Sequence, residues 1–325
     1  MNRKIGITTT IPVEVVYAAG NIPIDLNNIF ITSADPSHFL EIAENSGFPR
    51  NMCNWVKGIY GVATESDIKD IIAVVEGDCS NTNSMVETLQ YHGSNIIPFA
   101  YPYDKDKAII KSQIDKLIHK LGTSFDEVMK TKQRLDKIRK KLILLDEMTW
   151  RDNLVLGSEN HIWLVSSSDF NSDPVKFENE LDAFISTSAK QKPFNDQVRL
   201  GLCGVPPIFK DLYTYLESKK ARVVFNETQR QFSMPFETDN IIEQYYEYTY
   251  PYDIFGRIKD IKNEIKRRNI KGLIHYVQSF CHRQIEDIIL REEIDIPIIT
   301  LEGERPADLD ARTRLRLDTF IEMLS

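Results

Sequence analysis

KGLIHYVQSFCHR, Lys271–Arg283, decides the reading of this chain. Leu273–Val277 is a short apolar run of the kind that forms a buried strand, and it runs out into Cys281. DIIAVVEGDCSN, Asp70–Asn81, has the same design, with a strand ending at Cys79. Two strand-end cysteines in matching positions of two matching halves predict a metal held between two α/β lobes.

The halves can be laid over one another. Setting Gly6 against Gly201 puts Thr8 opposite Cys203, Pro12 opposite Pro207 and Cys79 opposite Cys281, and IIPF (96–99) falls opposite IPIITL (296–301). Each half reads strand, Pro-led helix, strand, insert, strand, Cys, helix, strand. Such alternation predicts a mostly parallel sheet in each half, Rossmann-like or flavodoxin-like, related by an internal repeat. Ligands of open parallel sheets collect beyond the carboxyl ends of the strands, where Cys79, Cys203 and Cys281 fall. Between the halves, Ile110–Leu121, Phe125–Glu147 and Lys176–Ser188 are charged and helically spaced, and HIWLV (161–165) joins that helical layer. The expected organisation is an N-terminal α/β lobe over 1–103 with Cys53 and Cys79, a helical insertion over 104–195, and a C-terminal α/β lobe over 196–325 with Cys281. Ile29–Met52 reads as irregular to helical, and Asn226–Phe255, rich in Tyr and Phe, gives no clear assignment.

With 325 residues, 42% hydrophobic and 27% charged, the chain has the make-up of an ordinary two- or three-domain globular protein. A net charge of -8 argues against nucleic acid as a partner. The basic run Lys130–Lys141 is the one candidate patch, and its spacing predicts a solvated helix face. No apolar run reaches the ~20 residues that span a bilayer, so no membrane contact is expected. The start, MNRKIGITTTIP, lacks a signal core, and a cytoplasmic location is the expectation. In that compartment four cysteines read as thiols, metal ligands or catalytic groups and not as disulfides.

From residue chemistry alone the cysteines stay open between inert buried thiols, a metal site and a nucleophile. No CxxC pair is present. His282 follows Cys281, but neighbours on a turn point apart, which favours a surface or supporting role. Glu14 opens the first helix, either as a first-turn carboxylate favoured by the helix dipole or as a group reaching the cleft. Ser80, Asn81 and Thr82 are placed to cap the helix after Cys79. Arg50 and Lys57 flank Cys53 as solvated charges or as counter-charges to a bound anion. Glu302–Arg305 reads as a tight turn with a local ion pair. Tyr245, Tyr246, Tyr248, Tyr250 and Tyr252 read as core and subunit interface.

Several of these pieces together resemble the 2-hydroxyacyl-CoA dehydratase family, whose relatives include benzoyl-CoA reductase subunits and double-cubane cluster proteins. TTTIPVEVVYAAGNIPIDL (8–26) resembles the family's opening pattern. NMCNWVKGIYG (51–61), GDCSNT (77–82) and FCHRQIED (280–287) resemble its three cysteine motifs. IPIITLEGERPADLDARTRLRLDTFIEML (296–324) resembles its last strand and terminal helix. The match is weak over Asp104–Ala189, and the chain is shorter in its middle than the family's usual subunits.

The resemblance implies that Cys53, Cys79 and Cys281 hold a [4Fe-4S] cluster with one iron open, and Cys203 is a candidate fourth ligand from its strand-end position. Glu14 is the implied acid/base residue of the cleft. The resemblance also implies a lyase of the dehydratase type acting by ATP-driven, low-potential one-electron (ketyl radical) chemistry. Its expected partners are an ATP-hydrolysing iron–sulfur activator, a second copy or a paralogue in a dimer, and an acyl-CoA or other small-molecule substrate. Four cysteines cannot supply two three-cysteine cubanes, so a double-cubane cluster would have to be shared between subunits. The alternatives are a reductase of another small molecule, a non-catalytic electron-transfer protein, and a zinc-stabilised binding protein.

Overall fold

A computed structural model describes residues 3–194 and 198–325. The first lobe begins with β1 (Lys4–Ile7), α1 (Val13–Ala18), β2 (Ile22–Asp25), α2 (Leu26–Thr32) and α3 (Pro36–Asn45). It continues through α4 (Asn54–Glu65), β3 (Asp70–Glu76), α5 (Ser80–Tyr91) and β4 (Asn95–Ala100). The stretch 29–52 that gave no clear pattern is thus helical over α2 and α3, which are short and start on Asp25 and Asp35. Four helices follow: α6 (Lys107–Leu121), α7 (Phe125–Trp150), α8 (Gly157–Ser166) and α9 (Pro174–Ser188). Their starts are written locally. Asp106, Ser124 and Asp173 each accept hydrogen bonds from the first-turn N–H groups of α6, α7 and α9. The expected boundary at 195/196 lies outside the described residues.

The second lobe runs β5 (Val198–Gly204), α10 (Leu212–Ser218), β6 (Ala221–Asn226), α11 (Glu227–Phe232), α12 (Ile241–Glu247), α13 (Ile254–Arg268), β7 (Gly272–Gln278), α14 (Arg283–Glu293), β8 (Ile298–Gly303) and α15 (Ala311–Leu324). The two sheets have the same order, β2-β1-β3-β4 and β6-β5-β7-β8, and every pairing is parallel. The architecture is α/β with two Rossmann/flavodoxin-like lobes. Register carries the repeat. Gly6 lies opposite Ile71 and Gly201 opposite Leu273, and each partner precedes its cysteine, Cys79 or Cys281, by the same number of residues. Ile71 pairs with Ile96 and Leu273 with Ile298, so the fourth strands also correspond.

Glycine is needed where the chain leaves the strands for the cleft. Gly204, after β5, has φ +104°, and a Cβ there would overlap the Tyr276 carbonyl oxygen. Gly77, after β3, has φ +94°, and a Cβ would stand 2.9 Å from that of Tyr101.

One apolar core spans both lobes, joining Val56, Ile59 and Val62 of α4 to Leu202, Ile208 and Tyr276. Each such aliphatic side chain contributes roughly 1.5–3 kcal/mol on burial, so α4 holds the lobes together. A second core packs β1, β3 and β4 against α6, α7 and α9. The insertion also reaches the second lobe through a buried ion pair, Asp146 on α7 with Arg268 on α13, at 2.6 Å. The basic run on α7 is not a uniformly solvated face. Lys132 and Arg139 are buried, paired with Asp136 and with Glu14. No helix among the described residues is long and apolar enough to cross a membrane.

Candidate metal centre

In a sheet of order 2-1-3-4 the chain turns back between the first and third strands, and the crevice beyond that point is where ligands bind. Both lobes open this crevice into one cavity of about 360 Å³. Thr8–Thr10 after β1 and Asp78–Cys79 after β3 line it from the first lobe. Val205 and Pro206 after β5, and Gln278 and Cys281 after β7, line it from the second. Cys53 enters at the start of α4, so Cys53, Cys79 and Cys281 are brought to the same space.

All three stand at helix starts. Cys53 and Cys79 occupy the N-cap positions of α4 and α5 without a side-chain cap bond, and Cys281 directly precedes His282, the N-cap of α14, which has none either. Uncapped N–H groups and the positive ends of three helices therefore meet at one place. Cys79, and not Ser80, is the capping position, and the Thr82 hydroxyl oxygen lies 3.5 Å from the Cys79 sulfur. Burial pushes the Cys53 thiol up to about 12. The backbone N–H groups of Val56 and Trp55 oppose this rise, and the neighbouring Cys281 and Cys79 add to it. Burial raises Cys281 too, against the Arg283 N–H and its charge.

The lobes are stitched together beside these sulfurs. Gln278 is buried, accepts a hydrogen bond from the Asn54 N–H at 3.3 Å and donates to the Tyr276 hydroxyl at 2.9 Å. The Trp55 indole donates to the Pro206 carbonyl at 3.2 Å. Phe280, between Gln278 and Cys281, is 73% exposed at the rim with φ +58°, a strained conformation for an aromatic residue.

The remaining candidates lie elsewhere. Cys203 is fully buried in a third core with Phe225 and Leu273 and does not line the cavity. Glu14 does not line it either. It is sealed beneath α7, where Arg139 donates to it at 2.6 Å, Gln244 at 2.7 Å and Tyr245 at 3.0 Å. Burial alone would raise its pKa, but Arg139 and Gln244 outweigh that and hold the carboxyl below its usual range. Lys57 is fully buried and pairs with Glu44 at 2.8 Å, so it is not a free counter-charge. Arg305 also reaches Glu44, at 3.3 Å, and Glu302 accepts from Ser279 and Gln284, so the 302–305 turn has no local ion pair. Tyr245 and Tyr248 are core residues as expected.

Two wall groups had no distinct signal in the sequence. Asp25 ends β2 on the cavity wall. Its carboxylate accepts from the Asn27 N–H at 2.9 Å and the Ser168 hydroxyl at 2.6 Å. Its N–H donates to Asp169 at 2.7 Å. Burial raises both carboxyls, Asp169 to about 7, where the nearby Asp25 adds to the rise. Tyr250 lines the wall from the segment between α12 and α13, with the Arg283 guanidinium 4.3 Å from its ring centre. The strand-end rule could have found Asp25; nothing local marks Tyr250.

The donor set is three soft thiols opening on a partly apolar cavity. No group of three or more His, Cys, Asp or Glu among the described residues is placed to hold a single metal ion. A polyatomic cube takes each thiolate on a different iron and accepts wider spacing. Residues 8–324 match the family described as 2-hydroxyglutaryl-CoA dehydratase, D-component. No curated protein matches the chain.

Proposed function

Since the chain belongs to the 2-hydroxyglutaryl-CoA dehydratase D-component family, we propose that it is the iron–sulfur component of a 2-hydroxyacyl-CoA dehydratase, with Cys53, Cys79 and Cys281 holding a [4Fe-4S] cluster in the interlobe cavity. The observation that carries this reading is the meeting of those three thiols, from distant parts of the chain, at three uncapped helix starts. When bound, the cluster would supply one low-potential electron for a ketyl-type radical dehydration of a 2-hydroxyacyl thioester.

The chain's own residues do the rest. Backbone N–H groups at the starts of α4 and α14 lie against the sulfurs of Cys53 and Cys281 and offset part of the rise that burial imposes on both thiols. Trp55, Val56, Ile59 and Phe232 give the cavity a dry wall. Asp25, with Asn27 and Ser168 fixing its oxygens, can take up a proton at the wall. With Cys203 turned into the core, three thiols are offered, and a cluster they held would keep one iron without a cysteine ligand. The family's naming as a component implies a partner, and an ATP-hydrolysing iron–sulfur activator is the electron donor of this scheme. A double cubane would require a second subunit's thiols.

Anaerobic purification followed by iron, sulfide and zinc analysis tests the reading. About four irons per chain are expected. Cys53→Ser, Cys79→Ser and Cys281→Ser should each lose iron, and Cys203→Ser should keep it. Stoichiometric zinc, or iron retained when Cys53, Cys79 and Cys281 are replaced together, would reject the assignment. A cluster indifferent to every acyl thioester would instead leave an electron-transfer protein.

A further inference from the structure

The cavity wall is poor in positive charge. Among the described residues, no lysine or arginine lines it, and its titratable lining besides the cysteines and Tyr250 is one imidazole, His282, and two carboxyl groups, Asp25 and Asp78. The nearest cations are engaged elsewhere. Arg283 donates to the Tyr250 carbonyl at 2.8 Å and pairs with Glu286 at 3.3 Å. Arg257 is fully buried between Glu227 and Glu286. Lys57 is held by Glu44. The N–H groups at the starts of α4 and α14 already face the sulfurs of Cys53 and Cys281.

What the wall offers instead is neutral. Trp55, Ile59, Val165 and Phe232 are apolar surface, and Thr9 and Asn81 add a hydroxyl and an amide. A free carboxylate entering this space would meet no lysine or arginine on the wall, only the partial positive charge at the start of α5 and the already paired Arg283 behind it, and burial of a charge without a full counter-charge is unfavourable. Three cysteine thiolates, once formed, would add to the opposition. An uncharged chain meets matching surface and loses only water.

Building on the dehydratase reading, we propose that the group this cavity admits is uncharged: an aliphatic or aromatic 2-hydroxyacyl group, and not one ending in a second carboxylate such as the glutaryl group of the family's description. The discrimination resides in the missing cation, so supplying one should weaken it.

Two matched pairs of ligands test this by calorimetric titration of the anaerobically purified protein. One pair is 2-hydroxyhexanoyl-CoA and 2-hydroxyglutaryl-CoA; the other is hexanamide and glutaramate, which carry no thioester. The uncharged member of each pair should bind tighter by about tenfold or more. Thr9→Lys should narrow the gap in both pairs by raising affinity for the anion. Silent thioesters with hexanamide still preferred over glutaramate would uphold the charge rule and remove the dehydratase reading. An anion that binds as well as its neutral partner in either pair, or no binding of either neutral ligand, overturns the proposal.

Discussion

Replacing Glu14 separates two roles for this residue, acid/base group or buried anchor. Its carboxylate is fully buried and accepts from Arg139, Gln244 and Tyr245. Glu14→Ala removes all three acceptor contacts. Arg139 keeps Asp136 at 3.0 Å and the Gln244 carbonyl at 3.2 Å, but loses its shortest partner inside the core. Stranding one member of a buried pair costs about 3–5 kcal/mol, and the deleted methylene groups push the value toward the upper end. Arg139→Met should cost less, about 2–3 kcal/mol, because Gln244 and Tyr245 still donate to Glu14. The double variant should fall short of the sum by about 2 kcal/mol, the coupling of two groups in direct contact. Urea unfolding followed by fluorescence and circular dichroism measures all four corners of the cycle. The sign with pH is fixed as well. A carboxyl held below its unfolded value stabilises the fold above that value and loses the contribution as pH falls through the folded one. The acid limb of the stability curve should therefore flatten in Glu14→Gln. Single variants within 1 kcal/mol of the parent, with turnover abolished, would refute the anchor and restore Glu14 to the chemistry.

Three further outcomes are expected. Asp169 has its carboxyl raised from 3.8 to about 7 by burial and Asp25, so the fold holds that proton longer than the unfolded chain does. Stability should fall as pH rises from about 4 to 7, by up to ~1.4 kcal/mol per unit. Asp169→Asn should flatten that decline in urea midpoints taken at each pH, and an unchanged slope would count against the shift. Gly204→Ala should cost upwards of roughly 3 kcal/mol, since it combines a positive φ with overlap on the Tyr276 carbonyl; a thermal midpoint within a degree or two of the parent would contradict this. Trp55→Phe removes the donor to the Pro206 carbonyl and should cost about 1 kcal/mol. Faster amide exchange near residues 205–209 would report the loosened contact between lobes, and unchanged exchange there would show that α4 packing alone holds it.

The sequence made the repeat legible because a strand buried on both faces, such as Leu273–Val277, writes itself as a continuous apolar run. Cys79 and Cys281 were legible because they follow those runs at equal distances, whereas Cys53, at the start of α4, was marked only by its resemblance to a family motif. What escaped reading was fixed by distant partners. Glu14 looks like a helix-start carboxylate until Arg139, on a helix of the insertion, is placed over it. Lys57 looks solvated until α3 brings Glu44 against it. The aromatic segment after β6 carries no clear period because only the short α12 is helical there, and Tyr245 and Tyr248 are placed by Ile11 and Tyr101 of the first lobe. Asp25 and Asp169 carry no sequence mark of their pairing, being joined only when the 3-10 turn at Phe170–Ser172 packs against β2.

The strand order of the second lobe fixes when the interlobe cavity gains its last wall during synthesis. Cys281 follows β7, an interior strand whose outer neighbour β8 is made after it. A nascent polypeptide that has not yet been made as far as β7 offers Cys53 and Cys79 to the cavity but not Cys281. A cofactor bound through all three would therefore have to enter after β7 and its cysteine have been made.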